Sequence, residues 1–158
     1  MLDNIKKYVL LCIHNNYTKR EEVRILNILT PKKFLQVGGA ILLVVGILGY
    51  IGVIGPSADK SIFGNFWWFD NAENIAHTVL GIAGLVASAI FPASLQRSLV
   101  IVLGIMGIIV GVYNFGGSQL LGANLESPAD LILHLVVGAW AIFAAFNKSG
   151  QKAPTESK

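Results

Sequence analysis

A carboxyl and an imidazole stand four residues apart twice in this chain. Glu73 precedes His77 and Asp130 precedes His134, and each histidine is followed four positions later by a glycine, Gly81 or Gly138. The two copies lie fifty-seven positions apart, and Asn74 stands beside the first acid. An interval of four is close to one α-helical turn, so each acid and histidine share a helix face. Three chemistries suit such a set. Glu73, His77, Asp130 and His134 could together ligate one divalent metal ion. The histidines alone could hold the iron of a haem b, with Gly81 and Gly138 leaving room for the macrocycle. The tighter i, i+3 spacing of di-iron bundles is missing. The same histidines, titrating near about 6.5, could handle a proton or a substrate in a small transporter or sensor.

A further reading needs no ligand. Each neutral imidazole hydrogen-bonds across helices, while Glu73 and Asp130 complete capping boxes at the helix starts. It uses every motif residue and is the working expectation: a structural or interaction module with a paired histidine cluster and no cofactor. Nothing marks an enzyme. Thr78, Ser88 and Ser118 have no base at a telling spacing, and phosphate-loop, zinc-protease and paired-cysteine motifs do not occur.

These residues must be positioned by membrane helices. The 158 residues are 54% hydrophobic and only 13% charged, against about 25% charged in ordinary soluble domains. Stretches without Asp, Glu, Lys or Arg run over 34–58, 74–96, 98–125 and 131–147. A bilayer core about 30 Å thick takes roughly 17–25 helical residues, so each can span it. The expected fold is all-α, an integral membrane four-helix bundle with spans near 34–55, 72–91, 97–115 and 128–147. A leader (1–30), which could lie along the membrane as an interfacial helix, and a disordered tail (148–158) flank a single four-span domain (31–147).

Seven of the twelve basic residues precede the first span: Lys6, Lys7, Lys19, Arg20, Arg24, Lys32 and Lys33. Lys148, Lys152 and Lys158 follow the last, Arg97 sits between spans two and three, and only Lys60 falls on the other side. By the positive-inside rule both termini are cytoplasmic in a multi-pass protein of the inner (plasma) membrane. The basic excess thus reports orientation and excludes a nucleic-acid partner. The lipid bilayer is the expected partner, together with a second copy or another membrane protein. Cys12, the single cysteine, permits no disulfide within the chain.

Helix starts are legible at Thr30-Pro31, at Asp70 with Glu73, and at Ser127-Pro128 with Asp130. Gly46-Ile47-Leu48-Gly49 matches Gly104-Ile105-Met106-Gly107 at an offset of fifty-eight, so the whole reads as a duplicated transmembrane hairpin. Small residues at helical spacing, Gly46 and Gly49, Gly81 and Gly84, Gly104 and Gly107, and Gly138, should face inward and let backbones approach. Gly52 and Gly55 extend the first stripe. Phe66, Trp67, Trp68 and Phe69 in the first loop read as interfacial anchors. The second loop, 113–127, reads as a turn and little else.

The heads of the second and fourth spans, Asn74-Ile75-Ala76-His77-Thr78-Val79-Leu80-Gly81 and Asp130-Leu131-Ile132-Leu133-His134-Leu135-Val136-Val137-Gly138, resemble those of a family of prokaryotic four-span membrane proteins with no assigned activity. The resemblance covers roughly 31–147 and leaves out the basic leader; the tryptophan-rich loop departs from the family's pattern. It implies a fold and a membrane location, and no activity.

Overall fold

The computed structural model describes residues 30–147. The leader and the tail, with the interfacial helix and the disorder expected of them, lie outside the described residues. Four long helices dominate: α1 (Pro31–Tyr50), α2 (Asn71–Ile90), α3 (Ala93–Tyr113) and α4 (Ala129–Phe146). All four are long and apolar enough to cross a membrane. Their outward faces are apolar, with Ile41 and Val44, Val79 and Val86, Val102 and Ile109, and Val136 and Phe143 all exposed. An isolated backbone spans hydrocarbon only when its hydrogen bonds are closed internally, which these helices achieve. The class is a multi-pass α-helical membrane protein.

Local chemistry sets the helix ends. Thr30 caps α1, accepting from Lys33 N–H at 3.3 Å, and Pro31 occupies the first turn, where no N–H is required. The first helix ends at Tyr50, five residues short of expectation. Gly52 takes φ +81°, and Val53 N–H reaches back to Leu48 O at 3.0 Å, the Schellman closure that a glycine beyond a helix end permits. Gly52 is therefore a stop signal and not part of the packing stripe. Asp70 caps α2 in a full capping box: Glu73 N–H donates to Asp70 Oδ1 at 2.8 Å, and Asp70 N–H donates to Glu73 Oε2 at 3.0 Å.

Between α2 and α3 the chain turns through Phe91-Pro92, and Gln96 closes the turn. Its amide donates to the α2-terminal carbonyls of Phe91 (2.8 Å) and Ser88 (3.2 Å). Such carbonyls have no partner within their own helix. The third helix starts four residues earlier than expected, so Arg97 is helical, its guanidinium 5.3 Å from the Phe146 ring centroid. At α4 the expected capping box does not form. Pro128 is the N-cap, Ser127 caps nothing, and the Ser127-Pro128 peptide is cis.

α1 packs chiefly on α2 and α3 chiefly on α4; α1 also touches α3 and α4. One end of the bundle has an apolar core of Phe34, Leu35, Ala87, Val100, Ala141, Ala144 and Ala145, with Trp140 edge-on to Phe34 at 4.7 Å. The opposite end carries both long loops. The first holds two short 3-10 turns (Ala58–Lys60 and Gly64–Phe66). The second is more than a turn: Gln119–Leu120 pairs antiparallel with Ala123–Asn124 across Leu121-Gly122, both at positive φ as a tight hairpin turn requires. This ribbon is the one departure from the all-α expectation among the described residues.

Candidate functional site

The helix pairs approach closely enough to exclude side chains. A Cβ on Gly81 would stand 2.6 Å from Leu43 N and 2.8 Å from Gly39 O; one on Gly138 would stand 2.9 Å from Ile108 N and 3.0 Å from Gly104 O. Gly46 is pressed on Thr78 and the Asn74 carbonyl, Gly49 on the Asn74 amide, and Gly107 on Gly138 at 3.3 Å. Gly84 is looser, in ordinary contact at 3.4 Å with Leu35 O. All seven packing glycines named from sequence thus face a neighbouring helix. Sequence reasoning missed Gly39, which meets Gly81.

The two helix pairs repeat a common set of contacts. Gly39, Leu43 and Gly46 meet α2 as Gly104, Ile108 and Gly111 meet α4, so positions making matching contacts on α1 and α3 are sixty-five apart, against the fifty-eight of the matched Gly-x-x-Gly strings. Gly46 on Thr78 corresponds to Gly111 on Leu135, and Gly39 beside Leu85 corresponds to Gly104 beside Ile142. The difference of seven is about two helical turns.

Above this waist the motif residues gather at the loop end. His77 and His134 are half-buried, and each holds Nδ1 at 2.7 Å from the carbonyl four residues before it, Glu73 O and Asp130 O. A carbonyl only accepts, so Nδ1 carries a proton in both rings. This replaces the expected cross-helix bonds: each imidazole is tied to its own helix. His77 also stacks on Phe69, centroids 4.9 Å apart and planes at 36°.

Asp130 is fully buried and does not act as a cap. Its Oδ1 accepts from the Trp67 indole at 2.9 Å, and its Oδ2 accepts from Glu126 N–H at 2.7 Å. The reciprocal tie runs from the second loop to α2, where Asn124 N–H donates to Asp70 Oδ2 at 2.8 Å. Each loop therefore grips the helix start of the other hairpin.

Four aromatic residues expected at the lipid interface divide accordingly. Phe69 is buried on His77, Trp67 stacks between Phe63 (5.4 Å) and Phe69 (5.1 Å) while bonding Asp130, and Trp68 is half-buried. Phe66 alone of the four is exposed, at 62%. An indole N–H with a buried carboxylate to reach turns inward, because that carboxylate needs donors more than the headgroup region does.

Glu73, Asn74, Asn114, Glu126 and Asp130 form a buried polar set around this end. Glu73 Oε1, Asn74 Oδ1, both amide atoms of Asn114 and Glu126 Oε2 make no hydrogen bond. Glu126, outside the spans, was not singled out from sequence, although its place four residues before Asp130 matches that of Phe69 before Glu73. Burial, then the neighbouring Asp130 carboxyl, push its carboxyl up to about 7 from an ordinary 4.5.

Among the described residues, no group of three or more His, Cys, Asp or Glu side chains could hold a metal ion. Asp130 is engaged by Trp67 and Glu126, and Glu73 by its capping box. No family model, curated protein or solved structure matches the chain.

Proposed function

We propose that this is a four-span protein of the inner (plasma) membrane, termini cytoplasmic, built from a duplicated hairpin and acting as a structural or interaction module. The loop end is its working face, and a second copy or another membrane protein is its partner. The observation that carries the reading is the reciprocal latch: Trp67 of the first loop on Asp130, and Asn124 of the second on Asp70. Hairpins in lipid gain little hydrophobic drive toward each other, so specific polar ties and close glycines must fix their arrangement. The Lys and Arg asymmetry supports the orientation, and the sixty-five/fifty-seven correspondence of contacts supports the duplication.

The test is the double variant Trp67→Phe/Asp70→Asn in detergent or nanodiscs, with melting temperature and partner or self-association as readouts. A latch that holds the working face should lower both. Wild-type melting and association in the double variant would overturn it. An absorption spectrum of air-oxidised and dithionite-reduced protein, with metal analysis of the same sample, is expected to be featureless and metal-free; a haem spectrum would replace this reading with a redox one.

A further inference from the structure

At the second loop two carboxyls meet with no donor between them. Glu126 is 9% exposed and Asp130 1%. Glu126 N–H donates to Asp130 Oδ2 at 2.7 Å, and the buried Glu126 Oε2 has no hydrogen-bond partner. The other oxygens are engaged: Glu126 Oε1 by the Asn124 amide, and those of Asp130 by the Trp67 indole and Glu126 N–H.

The charges around the pair worsen the imbalance. From α2, Glu73 and Asp70 belong to the same electrostatic cluster, and Glu73 Oε1, itself buried, also lacks a donor. His77 and His134 lie one turn deeper on α2 and α4, their Nδ1 protons committed to backbone carbonyls. Asp59 and Lys60 are exposed on the first loop, and α1 and α3 bring only Tyr50 and Tyr113 to this end. Two buried carboxylates side by side cannot both remain ionised at low cost. A proton on Glu126 Oε2 would turn one acceptor into a donor and satisfy both groups.

We propose that the Glu126–Asp130 pair is a proton-binding site: one proton from the surrounding water bridges the carboxyls and closes the latch, and its loss loosens the second loop from α4. The site deepens the latch role proposed above and rests on it. The raised Glu126 carboxyl, at about 7, agrees with uptake near neutrality. The pair and the Trp67 indole share Asp130, so proton occupancy is coupled to the grip of the first loop as well. A module with this site would engage its partner differently as the pH outside the loop end changes.

The experiment is an infrared pH titration of the full chain in nanodiscs, following the C=O stretch of protonated carboxyls, with tryptophan emission in parallel. A band lost with a midpoint near 7, together with an emission change at the same midpoint, is expected in the wild type; both should vanish in Glu126→Gln. No titrating carboxyl band between about pH 5 and pH 9 in the wild type would overturn the proposal, and that measurement needs no variant to fold. An unchanged titration in folded Glu126→Gln would overturn it equally. Trp67→Phe separates the two ideas: normal melting with the carboxyl titration intact refutes the latch and leaves the proton site standing.

Discussion

The two hairpins share a backbone contact and differ in what fills the end of it. In the first, Gly49 of α1 makes room for the Asn74 amide of α2. In the second, the corresponding places hold Asn114 at the end of α3 and Leu131 on α4, so the buried amide has moved to the other helix. The first hairpin starts its second helix with a self-contained capping box; the second leaves that helix uncapped and spends its acid, Asp130, on the loops. Close packing thus fixes how the helices meet, and the polar end is free to diverge. A local cap stabilises one helix, whereas a carboxylate reaching into both loops ties three chain segments together.

The correspondence is broken most directly at its tightest points. Gly81→Leu and Gly138→Leu should each cost about 3 kcal/mol, since the new side chain meets backbone that cannot yield. Thermal unfolding in detergent should show similar losses, with Gly84→Ala near wild type. A tolerated Gly138→Leu beside a ruined Gly81→Leu would dissolve the equivalence. The amide exchange is tested next: Gly49→Ala should destabilise by about 2 kcal/mol through collision with Asn74, and adding Asn74→Ala should recover part of it. Additive losses in that cycle would place the amide elsewhere.

The helix starts come third. Asp70→Ala removes a cap and the Asn124 tie, at about 1–2 kcal/mol. Glu126 makes the second hairpin sensitive to pH between its ordinary and shifted values. Its folded carboxyl is raised, so its contribution is complete below about 4.5 and lost as pH rises through about 7. Melting temperature should fall across that window and flatten in Glu126→Gln. Smallest is the histidine contrast. Both rings make the same 2.7 Å bond, but only His77 is seen stacked on an aromatic ring, Phe69, so His77→Ala should cost about 1 kcal/mol more than His134→Ala. Equal melting temperatures would mean that the stack contributes nothing.

The linear sequence determined the four spans, because twenty apolar residues in a row have few other destinations, and it determined the α2 capping box, because Asp70 and Glu73 interact across one turn. It also marked the close glycines as a class. It did not determine which glycines correspond. Seven residues are nearly two turns, so a shift of seven leaves a stripe on the same helix face, and Gly46 to Gly49 matches Gly104 to Gly107 as a pattern while the contacts pair Gly39 and Gly46 with Gly104 and Gly111. Nor did it foretell that the Trp67 indole would reach Asp130 or that Glu126 N–H would bond the same carboxylate. Those outcomes depend on residues up to sixty-three positions apart meeting in space, where a buried carboxylate takes whichever donors the folded loops bring within reach.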